Sequence, residues 1–457
     1  MSVQAQDTPQ KTSQGGRIFG WLCGLASFSI LGYLLFAVAY QMIIPPPASR
    51  LVLVQDIPLP SGLGPGNSKN PLAPGIQVDF DGMDFQTYDA ASHRLFIAHS
   101  GPSPDLMDLA HTKYDIHSAG HVVVFDTQQD KVIARIPLPQ VAGVIDAPDL
   151  HKVFAGGIDP NDPNAVDTIY DIDVNTLQFH AIHLIAGESP DAITYDPTDH
   201  RIFVSDPGAP PTLTGPQNPD RKLMNIVVID AITDKILTRI NFGSLPLLSG
   251  EKAPANPANI AAFGYDVGHS DYDAGLRHVY VTSQVLPDAD NPDPYILPPP
   301  HTAEFISINA VTMQIDKRIT LPAYCGTPHG MAVDAEQHVA FAACTDFDAA
   351  SGLYANLIRI NLQTMTVIPA DPTTMRLAPA PDIVRVDHSA HLVFMACAGG
   401  VTIFDETPGK FHRLGTYEIG KGTHSIAINE QTQEMYFTIF AGGLPILRIA
   451  RYNPNGG

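Results

Sequence analysis

From residue 84 onward, short runs of β-branched and aromatic residues recur in groups of four, separated by polar, turn-forming residues. One group reads DFQTYD (84–89), HRLFIAH (93–99), VVVFD (122–126) and KVIARIP (131–137). The first run returns as DAITYD (191–196), HGMAVD (329–334) and DIVRVD (382–387). The second returns as HRIFVSD (200–206), HVAFAAC (338–344) and HLVFMAC (391–397). The third and fourth return as IVVID (226–230) with KILTRI (235–240), as LIRIN (357–361), and as VTIFD (401–405). Runs this short and this rich in β-branched residues predict strands, and four in succession predict an antiparallel blade.

First strands begin near residues 84, 141, 191, 259, 329, 382 and 424, which predicts an all-β, seven-bladed β-propeller of four-stranded antiparallel blades. The last group holds only three runs, SIAINE (425–430), EMYFTIF (434–440) and ILRIA (446–450). The run LVLVQDIP (51–58) ends in Ile-Pro as 136–137 does, so it is expected to supply the fourth strand and close the ring, removing the open sheet edge. The propeller is then expected to span 48–457, with a Pro- and Gly-rich linker at roughly 61–75. Asp126, Asp230 and Asp405 follow third strands, where an Asp side chain caps its own turn, so they read as structural.

Tyr280-Val281-Thr282-Ser283 nearly spells the tetrapeptide of the YVTN-repeat β-propellers, and VVVFDTQQDKVIARIPLP (122–139) is similar to the third and fourth strands of that family. The resemblance covers nearly all of the chain beyond the N-terminal segment. The tetrapeptide is degenerate in the other blades, and the second blade departs, opening with VAGVID (141–146). The resemblance implies binding and scaffolding roles at a surface or in the periplasm. It brings no shared catalytic residues, because a fold does not fix a function.

Residues Ile18 to Ile44 carry no charge, and at 1.5 Å per residue such a run spans roughly 40 Å, more than the ~30 Å hydrocarbon core. Lys11 and Arg17 precede it and Pro45-Pro46-Pro47 ends it, which predicts a cytoplasmic tail (1–17), a transmembrane helix (18–44) and an extracytoplasmic remainder. Ala37-Val38-Ala39 offers a cleavage site, so a cleaved signal is the competing reading. The length of the run favours the anchor.

Composition narrows the partners. The formal net charge is −21 and no basic run offsets it, so nucleic acid is excluded as a partner. The expected partners are the membrane, through the N-terminal helix, and a protein or small-molecule ligand.

In a propeller the loops entering first strands and leaving second strands share one face. Aligned repeats therefore predict a ring at the channel mouth made of Asp84, Val141, Asp191, Asn259, His329, Asp382 and His424. A second ring is made of His99, Gly157, Asp206, Ser283, Cys344, Cys397 and Ile439. The carboxylates, imidazoles and amide of the first ring suit a divalent cation or a polar ligand, and equally the lining of a wet channel. Cys325 and Cys344 are expected to form a disulfide within the fifth blade, with Cys344–Cys397 as the other pairing and a soft-metal site with His329 as the sharper idea. His111 and His117, in a long insertion between His99 and His121, match no helical or zinc-finger spacing. The Asx- and Pro-rich stretches 159–167 and 288–293 lack the pattern of an EF-hand.

No nucleophile elbow or phosphate-binding loop is present. The first expectation is a binding or scaffold module working through its loop-decorated face. The alternative is a metal-dependent, lactonase-like hydrolase in which Asp84, Asp191, Asn259 and Asp382 hold the ion and His329 or His424 moves protons. A copper-dependent redox subunit is a third, with few soft ligands to support it.

Overall fold

The computed structural model describes residues 50–60, 83–100, 120–158, 167–185, 190–206, 225–242, 265–285, 303–322, 324–348, 352–441 and 444–456. Residues 53–451 form one compact unit. It contains seven four-stranded antiparallel sheets, arranged as the blades of a β-propeller. Six blades run in chain order from the channel outward. The seventh has the order Ile426–Asn429, Glu434–Ala441, Leu444–Tyr452 and, outermost, Leu51–Pro58. In a second, small unit the Asn453 amide donates to the Arg50 carbonyl at 2.7 Å, and Arg50 donates to the Tyr452 hydroxyl at 2.9 Å.

Five blades turn their first hairpin with an acid that accepts amide hydrogen bonds from the residues that follow, as Asp89 does from Ala91 (3.1 Å) and Asp196 from Thr198 (2.8 Å). In the seventh blade Asn429 takes that place, and the second turns through Pro148–Leu150 without a side-chain cap. The fifth residue of the turn is then left-handed, as at His93 (φ 55°), His200 (φ 51°), His338 (φ 53°) and His391 (φ 52°). The His that recurs before second strands is therefore a turn residue. The third hairpins repeat the pattern. Asp126, Asp230 and Asp405 accept from Gln128 (2.9 Å), Ile232 (3.1 Å) and Thr407 (2.8 Å).

The core lies in layers between blades, where alternate side chains of neighbouring sheets interdigitate. Phe203, Ile226 and Val228 of the third blade pack against Val267, Val281 and Ile306 of the fourth. Fully buried aromatics such as Phe96, Phe154, Phe203 and Phe394 fill these layers, each contributing about 2–3 kcal/mol by removal from water.

The first strand of the fourth blade is Tyr265–Asp273 rather than a run beginning at 259, because its turn acid is Asp273, which bonds the Leu276 amide at 2.8 Å. Asn259 and the 18–44 segment lie outside the described residues. Among the described residues no helix is long and apolar enough to cross a membrane.

Candidate functional site at the channel mouth

Counting back five residues from the turn residues Asp89, Asp196, Asp334, Asp387 and Asn429 reaches Asp84, Asp191, His329, Asp382 and His424. Four of the first strands are irregular at this point. Pairing shifts between Met83 and Gln86, Val267 and Ser270, Pro328 and Met331, and Pro381 and Val384. Such irregularities re-aim side chains, and they recur where the polar residues sit. In the fourth blade the equivalent position is Gly268, and the next residue, His269, turns toward the channel. A Cβ on Gly268 would lie 2.4 Å from the Thr282 hydroxyl oxygen, which in turn donates to the His329 carbonyl at 2.8 Å.

Close approach of neighbouring first strands depends on glycine. A Cβ on Gly330 would fall 1.4 Å from the Asp382 carbonyl oxygen, and one on Gly143 would fall 1.7 Å from that of Asp191. The backbones of Asp191 and Asp382 therefore occupy the space where the preceding blade has no side chain.

The structure brings Asp84, Asp191, His329, Asp382 and His424 together and adds His269, which the sequence alignment missed. Asp191, His269 and His329 present donor atoms within 4.8 Å of one another, and so do Asp84, Asp382 and His424. Asp382 joins the two groups. Its Oδ2 lies 2.5 Å from His424 Nε2, and its Oδ1 lies 3.5 Å from both His269 Nε2 and His329 Nε2. Asp84 approaches His424 Nε2 at 3.7 Å. The His269 and His329 rings are 4.5 Å apart and tilted by 50°, and Phe85 closes over His269 at 4.7 Å from the first blade.

Electrostatics separates the imidazoles. Burial pushes His269 well below the ordinary imidazole range, reinforced by its neighbour His329 and only partly opposed by Asp382, so it is neutral. His424 is half-exposed. Burial opposes its charge, but the close Asp382 carboxylate and the nearby Asp84 carboxylate outweigh that and raise its pKa to about 11, so it is an imidazolium. Burial likewise opposes ionisation of Asp382, yet the His424 hydrogen bond and the surrounding imidazoles hold it well below the usual carboxylate range. Three carboxylates facing one imidazolium leave two net negative charges when His269 and His329 are neutral.

Inside the mouth, a cavity of about 400 Å³ is lined by first-strand residues including Asp146, Asp271 and Arg385. Thr87 donates to Asp146, while Asp271 accepts from the amides of Tyr272 and Val333, both at 2.8 Å. Arg385 donates to the carbonyls of Val384 (3.0 Å) and Gln86 (3.3 Å). Burial raises both carboxyls and lowers the guanidinium.

The second ring does not join this site. Asp206 accepts from Asn225 at 3.0 Å within its own blade. His99 packs edge-on against His121 at 4.8 Å, and Ser283 is fully buried. Of the remaining second-ring positions, Cys397 is a buried free thiol, which burial pushes up to about 12. Cys325 and Cys344 form a disulfide, so neither offers a thiolate to a metal. His111, His117 and 288–293 lie outside the described residues, as does nearly all of 159–167. A third group, Asp171, His180 and Asp234, already encloses a cation, with Lys152 Nζ 2.6 Å from Asp171 and 3.5 Å from Asp234.

No family model matches the chain, and no curated protein matches it. Among solved structures, Kuenenia stuttgartiensis hydrazine synthase superposes with a TM-score of 0.55 at 10% identity, covering 83% of this chain and 99% of that one. In all, 1305 solved chains match, so a likeness on this scale identifies an architecture and not an activity. The chain therefore has the fold of a seven-bladed β-propeller, and its chemistry has to be read from its own channel mouth.

Proposed function

We propose that this propeller is an extracytoplasmic binding module of the YVTN-repeat kind, tethered by its N-terminal apolar segment. In this reading its channel mouth holds a divalent transition-metal ion that forms part of the ligand-binding surface. The observation that carries the reading is the pair His269–His329 facing one carboxylate oxygen of Asp382, each nitrogen 3.5 Å from it. Donors around a tetrahedral ion with bonds of about 2.0–2.2 Å stand roughly 3.3–3.6 Å apart, so this spacing is that of co-ligands rather than hydrogen-bond partners. Asp191 lies beside the same two imidazoles. Mixed imidazole and carboxylate donors favour zinc, iron or a similar borderline cation over calcium. Asp382 would then hold the ion through one oxygen and His424 through the other, the outer-shell arrangement that orients ligands in metal centres. The Cys325–Cys344 disulfide supports an oxidising compartment.

A second reading, a metal-dependent hydrolase, is favoured by one feature: His424, half-exposed and protonated, stands next to the metal position where a general acid would be needed.

Elemental analysis of the full chain, purified without metal-chelating resin, tests the first reading, with melts before and after EDTA and after adding zinc. A stoichiometric metal lost in His269→Ala and His329→Ala but kept in His99→Ala is the expected result. Absence of metal, together with no stabilisation by added zinc, overturns it. Turnover of simple esters and lactones by the metal-loaded chain, lost in His424→Gln, would decide for the hydrolase.

A further inference from the structure

Between the fifth and sixth blades, away from the channel mouth, lies a cavity of about 340 Å³ whose chemistry none of the foregoing uses. Its walls include Phe341 from Val339–Asp348, Arg359 from Gly352–Asn361, and Glu406 and Phe411 from the segment between Gly400–Asp405 and His412–Glu418. Glu406 is 3% exposed, and among the described residues neither of its carboxyl oxygens has a hydrogen-bond partner. Its main chain is held firmly, with its amide on the His391 carbonyl at 2.9 Å and its carbonyl on the Gln337 side chain at 3.1 Å. The acid is therefore fixed in the wall of the cavity with both acceptors unused.

The cavity lining also carries a cation. The Arg359 guanidinium lies 4.1 Å above the Phe411 ring, and its buried Nε has no partner among the described residues. Phe411 lies near-parallel to Phe341 (5.6 Å) and Phe404 (5.3 Å), which fixes both the aromatic wall and the guanidinium seated on it. A buried acceptor left unmade costs free energy that a ligand donor recovers, and a guanidinium is the side chain best shaped to take a carboxylate. The surroundings of Glu406 choose the donor. Asp334, Asp387 and Asp405 face it, against His388, which is itself paired with Glu430 at 3.1 Å. This local excess of negative charge favours a cationic donor over a neutral hydroxyl.

We infer that this cavity is a binding site for a small zwitterion of the α-amino acid class, with its ammonium on Glu406, its carboxylate on Arg359 and an apolar side chain against Phe341 and Phe411. The volume sits at the small-metabolite end of ligand pockets, which run from about 300 Å³ upward. Glu406 faces Asp334, Asp387, Asp405 and His388, and burial with this repulsion raises its pKa to about 8. An ammonium seated there drives Glu406 to ionise, so binding near pH 7 releases a proton to the buffer.

Isothermal titration of the full chain with L-phenylalanine, in two buffers of different ionisation enthalpy, tests this. Saturable binding with proton release is expected. 3-Phenylpropionate and phenethylamine, which each lack one charge, are expected to bind at least about tenfold more weakly. Glu406→Gln and Arg359→Met are expected to lose binding by a similar factor. Glu406→Gln keeps the shape while removing an unpartnered acid, so its cooperative melt serves as the folding control. Absence of saturable binding by L-phenylalanine overturns the proposal. So does unchanged affinity in folded Glu406→Gln, or phenethylamine binding as tightly as the amino acid.

Discussion

His424 Nε2 lies 2.5 Å from Asp382 Oδ2, while the other oxygen of the same carboxylate faces His269 and His329 at 3.5 Å. One buried acid thus organises imidazoles from the fourth, fifth and seventh blades. Removing one partner of such a group is far costlier than removing an exposed ion pair, because the others stay behind without compensation. Asp382→Asn in metal-free protein is expected to lose about 3 kcal/mol in urea unfolding, the low end for a buried pair, since half-exposed His424 can rehydrate. Asp84→Asn, at 3.7 Å from His424 and more exposed, is expected to cost less than about 1 kcal/mol. Equal losses for the two variants would show that Asp382 is not the organising acid.

Gly330 predicts a steric failure at the same site. The Cβ of an alanine would sit 1.4 Å from the Asp382 carbonyl oxygen, so the fifth and sixth blades would have to part. Gly330→Ala is expected to destabilise by more than about 3 kcal/mol, in the range of severe overpacking and backbone conflict. Gly399→Ala, with nothing within 4 Å of the added atom, is the control and is expected to change stability by less than about 0.5 kcal/mol. Circular dichroism melts of the two variants suffice to compare them.

The fold was more legible in the sequence than the site, and particular residues show why. Blade repeats are written in strand periodicity and turn acids, which are local signals. Asp89, Asp196 and Asp230 sit where the pattern puts them because each satisfies amides two or three residues away. The N-terminal strand Leu51–Pro58 was legible from its Ile-Pro ending and a vacant sheet edge. His269 was missed because the fourth blade was counted from Asn259. Counting back from Asp273 reaches Gly268-His269, and only the local break in pairing decides which of the two faces the channel. Arg359 and Glu406 were invisible for another reason. Their meeting depends on packing between blades, which no repeat alignment records.

The Cys325–Cys344 disulfide closes a loop of sequence separation 19. Loop-closure entropy of that size corresponds to about 3 kcal/mol of stabilisation through the unfolded state. The Cys325→Ala/Cys344→Ala double variant is expected to unfold at correspondingly lower denaturant with an altered m-value, because its unfolded chain is more expanded. Cys397, buried and with its thiol pushed up to about 12, is expected to resist iodoacetamide in the native protein and to react only on unfolding. Rapid alkylation of native Cys397, read by peptide mass analysis, would contradict this burial.

Glu406 sets a pH dependence whose sign can be worked out. Its folded-state pKa is raised from 4.5 to about 8, first by burial and then by Asp334, so the folded protein holds this proton more tightly than the unfolded chain does. Stability from this group is complete below pH 4.5 and is lost as pH rises through about 8. At roughly 1.4 kcal/mol per pH unit, the loss amounts to several kcal/mol, because the group is almost wholly buried. His388 acts in the same direction. Its hydrogen bond to Glu430 raises it from 6.5 to about 9, so its contribution is complete below 6.5 and fades as pH rises through about 9. Glu430, held below its ordinary 4.5, contributes the opposite way and only in acid. Urea unfolding at pH 6 and pH 9 is therefore expected to show a marked drop in stability for the parent chain. Glu406→Gln, which mimics the protonated acid, is expected to match the parent near pH 5 and exceed it by a few kcal/mol at pH 9. The remaining slope of that variant is the joint share of His388 and His424, both of which hold their protons more tightly in the folded protein. A Glu406→Gln profile parallel to the parent across this range would mean that Glu406 ionises normally, through a partner or water that reaches its carboxylate.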